Sequence, residues 1–277
     1  MPRSPSRWRT SRPIGFRLRF FRRDEWKGMK SPGMSSHRAA PFFVEGRESW
    51  ASEYGTLLHN LPNIALRFDF LSSYVPALAA PGSRLRVLDL GAAYGYYASV
   101  LQLHGHEIFA MEWAEDAAAA AALRLGKDRV FHQSVAEPFP LPADSVDLIY
   151  AFDLVEHIDN ETVERMLVSC ERVLGPNGVL VISTPDNGIR ARVVFKTLGL
   201  AVPRLPELLF GPDHVNLFDA ARLRKMLERT MTHSRIVDIV STNFMFGRYP
   251  IASVVDRFVL RAFRASANLV AIVRKER

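Results

Sequence analysis

The stretch VLDLGAAYGYYASV, residues 87–100, decides the fold of this chain of 277 residues. Its apolar run ends at Asp89 and passes into a turn that begins at Gly91 and closes at Gly95. Glycine allows the backbone to turn sharply and its N–H groups to approach a ligand closely. The stretch therefore predicts a buried parallel strand that leads into the first helix of a nucleotide-binding type of α/β fold.

This turn differs from the one that binds dinucleotides. The dinucleotide fingerprint has three glycines, G-x-G-x-x-G, so that a pyrophosphate can lie on the helix N-terminus. Here the turn reads Gly91, Ala92, Ala93, Tyr94, Gly95, without the middle glycine and with a bulky tyrosine. The Asp89 carboxylate suits an amino group, and Glu112, which ends the next apolar run, can accept hydrogen bonds from both hydroxyls of a ribose. A ligand with a ribose and an ammonium group but no phosphate is S-adenosylmethionine.

The chain resembles the class I S-adenosylmethionine-dependent methyltransferases, whose first motif is D-x-G-x-x-x-G and whose second is the acidic end of the next strand. Further landmarks of that family follow in order: PFPLPADSVDLIYAF at 138–152, DLVEHI at 153–158 and LGPNGVLVISTP at 174–185. The resemblance implies S-adenosylmethionine as cofactor and a Rossmann-like, seven-stranded, mostly parallel sheet with helices on both faces. A generic α/β domain in which Asp89 only caps a turn is the alternative, and five motifs in order count against it.

The hydrophobic pattern predicts the elements of that sheet. Strands are predicted at 86–90, 106–111, 130–133, 146–151, 179–183, 234–242 and 268–274. Helices are predicted at 50–80 with a break at Pro62, and at 94–104, 116–125, 161–174, 189–200 and 219–230. We expect the ligand beyond the carboxyl ends of strands one, two and four. Residues 187–212 are predicted to form a lid-like insertion after the fifth strand.

Charge divides the chain into a basic tail, residues 1–40, and a methyltransferase domain, residues 41–277. The tail contains eleven Arg and Lys residues and two acidic residues, whereas the whole chain has a net charge of +7. Its prolines favour a disordered tail. A contact with nucleic acid or anionic lipid, a targeting segment, and translation from Met29 or Met34 are the alternatives. The single cysteine, Cys170, and the lack of an apolar run of about 20 residues lead us to expect a cytoplasmic protein.

A closer similarity, to the ubiquinone-biosynthesis O-methyltransferases, covers about residues 60–227. It includes a segment from asparagine to arginine, here Asn63 to Arg67, and implies that Arg67 pairs with the methionine carboxylate of the cofactor. The acidic residue that this family often carries after the third strand is absent, which leaves the backbone of Val135 and Ala136 to contact the adenine. The insertion and residues 244–263 are unlike a quinone enzyme. The whole predicted cofactor set is Arg67, Asp89, Gly91, Ala92, Ala93, Tyr94, Gly95, Glu112, Trp113, Val135, Ala136 and Phe152.

The DLVEHI segment follows the fourth strand, where we expect it to face the reacting methyl group. Methyl transfer to a hydroxyl requires that the acceptor be positioned and its proton removed. His157 is the candidate base, because the pKa of an ordinary histidine lies near neutrality; capping of the next helix by Glu156 and His157 is the alternative. His214 in GPDHVNLF matches the family's histidine-containing turn and either reaches the site or caps a helix. Some relatives bind a divalent cation through residues matching Asp153, Glu156 and His157, and we prefer a metal-free site.

Three functions remain open. The first is methyl transfer to a hydroxyl of a small molecule, either a phenol, a glycan or a lipid-linked acceptor; the apolar and basic lid helix suits an amphipathic or anionic acceptor and leaves peripheral membrane contact open. The second is methylation of RNA with the help of the basic tail, against which the lack of an N/D-P-P-Y motif and the helical position of Cys170 argue. The third is a non-catalytic partner protein with the same fold. The sequence determines neither the acceptor nor the oligomeric state.

Overall fold

A computed structural model describes residues 57–200, 213–242 and 267–276 of the chain, without the side chains of 57–63 and 198–199. The strands in this part are β1 (Arg86–Leu90), β2 (Glu107–Glu112), β3 (Val130–His132), β4 (Val146–Phe152), β5 (Leu174–Pro185), β6 (Ser234–Thr242) and β7 (Asn268–Lys275). They form one sheet in the order β3-β2-β1-β4-β5-β7-β6. Strands β1 to β5 pair in parallel, and β7 runs antiparallel to both of its neighbours. The predicted seven-stranded, mostly parallel sheet is confirmed.

The helices lie on both faces of the sheet, as predicted. In the described residues they are α1 (Leu57–Tyr74), α2 (Tyr96–Leu103), α3 (Glu115–Leu125), α4 (Asn160–Val173), α5 (Ile189–Gly199) and α6 (Ala220–Thr230). Side chains alternate between the two faces of a strand, so that Leu88 and Leu90 of β1 join one core cluster and Val87 joins the other. The first cluster is completed by α4 and α6, and the second by α1 and α2.

Helix α1 differs from its prediction in two ways. It continues without a break through Pro62, although proline has no N–H group to donate to the Leu58 carbonyl. It ends at Tyr74 rather than at residue 80, since Pro76 disfavours the helical conformation of the residue before it. Val75 accordingly has φ −126° and ψ 76°.

Strand β5 is longer than predicted and starts at Leu174 instead of Val179. Gly175, Pro176, Asn177 and Gly178 are residues typical of turns, but Leu174 pairs with Val146, and the register shifts between Val146 and Leu148. Residues 175–178 therefore belong to the strand and are accommodated by a shift in its register with β4. Strands β1 and β6 have the predicted bounds, and each of the remaining elements deviates by one or two residues at an end.

Part of the predicted organisation lies outside the described residues: the tail at 1–40, residues 201–212 of the lid and the segment 244–263. The boundary between tail and domain stays a prediction. None of the helices in the described residues is long and apolar enough to cross a membrane.

Candidate active site

The glycine turn, residues 91–95, joins β1 to α2 at the carboxyl edge of the sheet. Gly91 and Gly95 have φ of +70° and +73°, the left-handed region that favours glycine. A Cβ on Gly91 would lie 3.1 Å from Leu154 Cδ1, and a Cβ on Gly95 would lie 3.0 Å from Ala121 Cβ of α3. The Gly91 and Ala92 N–H groups donate to the Met111 carbonyl at 2.9 and 3.2 Å. Close packing and these hydrogen bonds hold the turn against its neighbours.

Asp89 lies under the turn with 4% of its surface exposed. Burial raises the pKa of its carboxyl to about 7; Glu112 adds to the rise, while the Tyr150 hydroxyl and Arg67 oppose it. The Tyr150 hydroxyl lies beside the carboxylate but makes no hydrogen bond of standard geometry, and the buried Tyr97 hydroxyl also lacks a partner. Buried polar groups are normally hydrogen-bonded. A carboxylate with two unsatisfied hydroxyls nearby fits the ammonium group of S-adenosylmethionine.

Three aromatic rings extend this part of the site. Tyr97 meets Tyr150 and Phe152 edge to face, with ring centroids 4.9 and 5.6 Å apart, and Tyr150 stacks on Phe152 at 5.1 Å. Phe152 ends β4 and is 9% exposed. These rings form one wall next to Asp89.

Glu112 ties the end of β2 to the glycine turn. One of its carboxylate oxygens accepts a hydrogen bond from the Ala93 N–H and the other accepts one from the Ala114 N–H, both at 2.8 Å. Each carboxylate oxygen has a second lone pair. The carboxylate is therefore held in place and keeps acceptor capacity for the ribose hydroxyls that we expect it to bind.

The residues expected near the adenine follow β2 and β3. The Trp113 side chain is 71% exposed, and its carbonyl lies 3.0 Å from His132 Nε2. Val135 is buried in the core. The Ala136 N–H donates to Ser134 Oγ at 3.2 Å, so that this predicted contact with the adenine is already used within the chain.

Arg67 reaches from α1 across the carboxyl edge of the sheet. It forms an ion pair with Asp153, which follows β4, and its guanidinium lies 4.8 Å from the centroid of the Phe152 ring. The Arg67 Nε atom is buried without a partner. Asp153 has φ +53° and accepts a hydrogen bond from Ser183 Oγ at 2.9 Å. The structure thus places Arg67 at the site but pairs it with a carboxylate of the chain itself.

The second half of the site is a cluster of Glu156, His157 and His214, the predicted catalytic residues, whose candidate ligand atoms all lie within 4.8 Å of one another. His157 Nδ1 lies 3.1 Å from the Asp213 carbonyl. Because a carbonyl only accepts hydrogen bonds, we assign the proton to Nδ1 and the basic lone pair to Nε2. The His157 and His214 rings meet edge to face at 4.9 Å.

Burial sets the protonation of this cluster. It lowers the pKa of His157, with a contribution from His214, while the Asp213 carbonyl opposes the change. Glu156 is 1% exposed, and burial raises the pKa of its carboxyl well above the usual range, with Asp153 adding to the rise. Its Oε2 atom has no hydrogen-bond partner. The cluster therefore offers a neutral imidazole at pH 7, next to a carboxyl group whose protonated form is favoured by burial.

A carboxylate and two imidazoles are also donors that transition metals accept. The structure adds His214 to the predicted metal residues Glu156 and His157, whereas Asp153 is engaged by Arg67 and Ser183. The metal alternative stays a prediction. No sequence pattern indicated Tyr97, Tyr150 or Ser183 as site residues, because all three read as ordinary members of apolar helices or strands.

Residues 64–230 match the model of a family described as a methyltransferase domain. The chain belongs to this family. The matched segment contains every residue of the predicted cofactor and catalytic sets.

Similarity to curated proteins agrees with this assignment. A probable S-adenosylmethionine-dependent methyltransferase of Mycobacterium tuberculosis is 31% identical over 154 residues, which cover 50% of this chain and 54% of that protein. A ubiquinone biosynthesis O-methyltransferase of Rickettsia conorii is 27% identical over 176 residues, 62% of this chain and 54% of that protein. The chain spans about half the length of these relatives. The predicted superfamily and the predicted cofactor, S-adenosylmethionine, are confirmed.

Among solved structures, an S-adenosylmethionine-dependent methyltransferase from Archaeoglobus fulgidus matches with a TM-score of 0.53 and 19% identity, over 82% of this chain and 97% of that one. A possible histamine N-methyltransferase from Thermotoga maritima matches with a TM-score of 0.53 and 18% identity, over 83% and 98%. These similarities confirm the Rossmann-like fold.

Proposed function

We propose that the protein transfers a methyl group from S-adenosylmethionine to a hydroxyl group of a small molecule. The observation that carries the proposal is the Asp213 carbonyl on His157 Nδ1, which leaves the Nε2 lone pair to accept a proton. Glu156 and His157 follow β4, at the same edge of the sheet as Asp89 and Glu112. The name of the Rickettsia conorii relative, an O-methyltransferase, supports oxygen as the accepting atom.

In this proposal, one group of residues binds the cofactor and another residue removes the proton of the acceptor. When bound, the cofactor would supply a methyl group on a sulfonium, from which a neutral thioether is a good leaving group. Asp89 holds the ammonium group, Glu112 the ribose hydroxyls, and Arg67 the methionine carboxylate. The lowered pKa of His157 keeps it neutral at pH 7, and therefore ready to accept a proton.

The proposed reaction proceeds by in-line displacement. The acceptor O–H bond breaks and its proton passes to His157 Nε2. A bond forms between the acceptor oxygen and the methyl carbon, while the bond from that carbon to sulfur breaks and leaves its electron pair on sulfur. The products are a methyl ether and S-adenosylhomocysteine. Proton removal by a positioned base accelerates such reactions by about 10²- to 10⁴-fold.

The acceptor is proposed to lie between the loop after β4 and helix α5. The exposed side of α5 carries Ile189, Val193, Arg190, Arg192 and Lys196, which fit an amphipathic or anionic phenol, glycan or lipid-linked acceptor. The RNA alternative rests on residues 1–40, outside the described residues, and nothing in the described part favours it.

The test is a screen of phenols, sugars and lipid-linked glycans with the full chain and S-adenosylmethionine, read by release of S-adenosylhomocysteine and by mass spectrometry of the product. With an accepted substrate, His157→Gln is expected to lower kcat at least about 100-fold with little change in cofactor affinity. The matched control is His233→Gln, since His233 is exposed and pairs with Glu171. Products methylated only on nitrogen or carbon, or an unchanged kcat in His157→Gln, would contradict the proposal.

A further inference from the structure

We propose that Arg124, near the C-terminal end of α3, is a positioning residue for the S-adenosylmethionine site: its guanidinium holds the glycine turn through the Tyr94 carbonyl and the Tyr96 side chain. Arg124 lies outside the predicted cofactor set. The inference goes beyond the proposed function and rests only on cofactor binding, not on the acceptor.

The Arg124 guanidinium makes contacts in two directions. One terminal nitrogen donates to the Tyr94 carbonyl at 3.0 Å and to the Ala120 carbonyl of α3 at 2.9 Å. The other donates to the Tyr96 hydroxyl at 2.9 Å. The guanidinium carbon lies 4.1 Å from the centroid of the Tyr96 ring, within the range of a cation–π interaction. One rigid planar group thus links α3, the turn and the first residue of α2.

The contact with the Tyr94 carbonyl fixes one peptide plane of the turn. The peptide between Tyr94 and Gly95 is planar, so its carbonyl and its N–H point in opposite directions. Arg124 donates a hydrogen bond to the Tyr94 carbonyl, and the Gly95 N–H donates to the Ala92 carbonyl at 2.8 Å inside the turn. The orientation of this peptide plane determines the direction in which the chain enters α2. The first N–H groups of a helix have no partner within the helix, so those of α2 are available to a ligand.

The turn needs such support because its backbone is strained. Ala93 has φ +45°, a conformation that residues with a side chain adopt rarely. Glu112 holds the Ala93 N–H from the β2 side, and Arg124 holds the next residue from the α3 side. The turn is therefore fixed from both sides at adjacent residues. Glu112 is also the expected ribose ligand, so a shift of the turn would displace both.

The fork of the guanidinium is essential to this role. Two hydrogen bonds from different nitrogens to two fixed oxygens, together with stacking on a ring, require the planar geometry of arginine. A lysine ammonium is a single point donor. We therefore expect Arg124→Lys to recover only part of the function that Arg124→Ala loses.

The experiment measures the dissociation constant for S-adenosylmethionine by calorimetry in the full chain, below the melting temperature of every variant. Arg124→Ala is expected to raise the Kd about tenfold, with Arg124→Lys in between. The matched control is Arg165→Ala, because Arg165 is an exposed arginine on α4 that pairs with Glu161. Its Kd should equal that of the wild type.

A double-mutant cycle separates positioning from general stability. Tyr96→Leu and Arg124→Ala should be non-additive in Kd, since each removes the same ring–guanidinium contact. A lowered melting temperature with an unchanged Kd of the folded protein would overturn the role, as would additive effects or an equal loss in Arg165→Ala. Failure of the wild type to bind S-adenosylmethionine would overturn the proposed function as well, whereas wild-type binding with an unaffected Arg124→Ala would overturn only this inference.

Discussion

Arg67 and Asp153 join α1 to the residue after β4 by an ion pair across the carboxyl edge of the sheet. Both residues were singled out from the sequence, Arg67 for the cofactor carboxylate and Asp153 for a metal. The pair gives each of them a partner within the chain. Ser183 and Phe152 complete the contacts that hold Asp153 and Arg67.

Loss of the guanidinium should weaken cofactor binding. We expect Arg67→Met to raise the Kd for S-adenosylmethionine about tenfold, because a charge-assisted contact with the methionine carboxylate disappears. Asp153→Asn should change the Kd less than about threefold, since Phe152 still holds the guanidinium. Calorimetry on both variants checks this, and equal affinities of Arg67→Met and wild type would contradict the assignment of Arg67.

Cofactor affinity should fall in acid because of Asp89. Its carboxyl is protonated below a pKa of about 7 and then carries no charge for an ammonium group. The affinity is expected to drop by up to about tenfold per pH unit below that value and to stay constant above it. Calorimetry from pH 5.5 to 8.5 measures the profile, with Asp89→Asn as the variant that should bind weakly at every pH. A flat profile in the wild type would show that Asp89 does not bind the ammonium group.

The same carboxyl should destabilise the free protein. The pKa of Asp89 is raised from 3.8 to about 7, so its cost to folding appears as pH rises through this window and is complete above it. We therefore expect Asp89→Asn to raise the melting temperature at pH 8 and to leave it nearly unchanged at pH 4. Thermal unfolding at the two pH values checks the sign; a variant less stable at pH 8 would contradict it.

Gly95 and Gly82 allow the effect of steric overlap to be separated from that of backbone strain. Both have positive φ, +73° and +76°, but a Cβ on Gly95 would meet Ala121 at 3.0 Å, whereas a Cβ on Gly82 would have nothing within 4 Å. Gly82→Ala is expected to lower the free energy of unfolding by about 1 kcal/mol, and Gly95→Ala by about 2–4 kcal/mol. Urea titration measures both values. Equal losses in the free energy of unfolding would mean that α3 moves away from the new Cβ at residue 95 without an energetic cost.

Removal of divalent cations should leave turnover unchanged. Burial raises the pKa of the Glu156 carboxyl and so favours its protonated form, which is a poor metal ligand. Activity is to be compared before and after dialysis against EDTA, with an acceptor found in the screen. A loss that added Mn²⁺ or Zn²⁺ restores would instead support the metal alternative.

Local patterns in the sequence predict most of the sheet, because the order of apolar and polar residues within a short segment indicates a buried strand or an amphipathic helix. Strands β1 and β6 have the predicted bounds, and Asp89, Gly91 and Glu112 lie where their spacing indicates. The exceptions have local causes: Pro76 ended α1 early, and residues 175–178 were absorbed into β5.

Contacts between distant residues were not predictable in this way. The approach of His157 to His214, and that of Arg124 to the glycine turn, depend on how whole elements pack and leave no periodic signal. Tyr97 and Tyr150 belong to a helix and a strand whose patterns indicate only burial. Their unsatisfied hydroxyls near Asp89 emerge once the sheet brings β1, β4 and α2 together.

The carbonyl that assigns the proton on His157 belongs to Asp213, directly after the predicted lid at 187–212. Under the proposed function, in which His157 is the base and the lid contacts the acceptor, acceptor shape and base strength are coupled through one segment of chain. A lid of different length, which would admit a different acceptor, would also move the Asp213 carbonyl and free His157 to exchange its two tautomers. Changing the substrate of this scaffold by exchanging the lid thus requires that Asp213, the residue directly after the lid, keep its position.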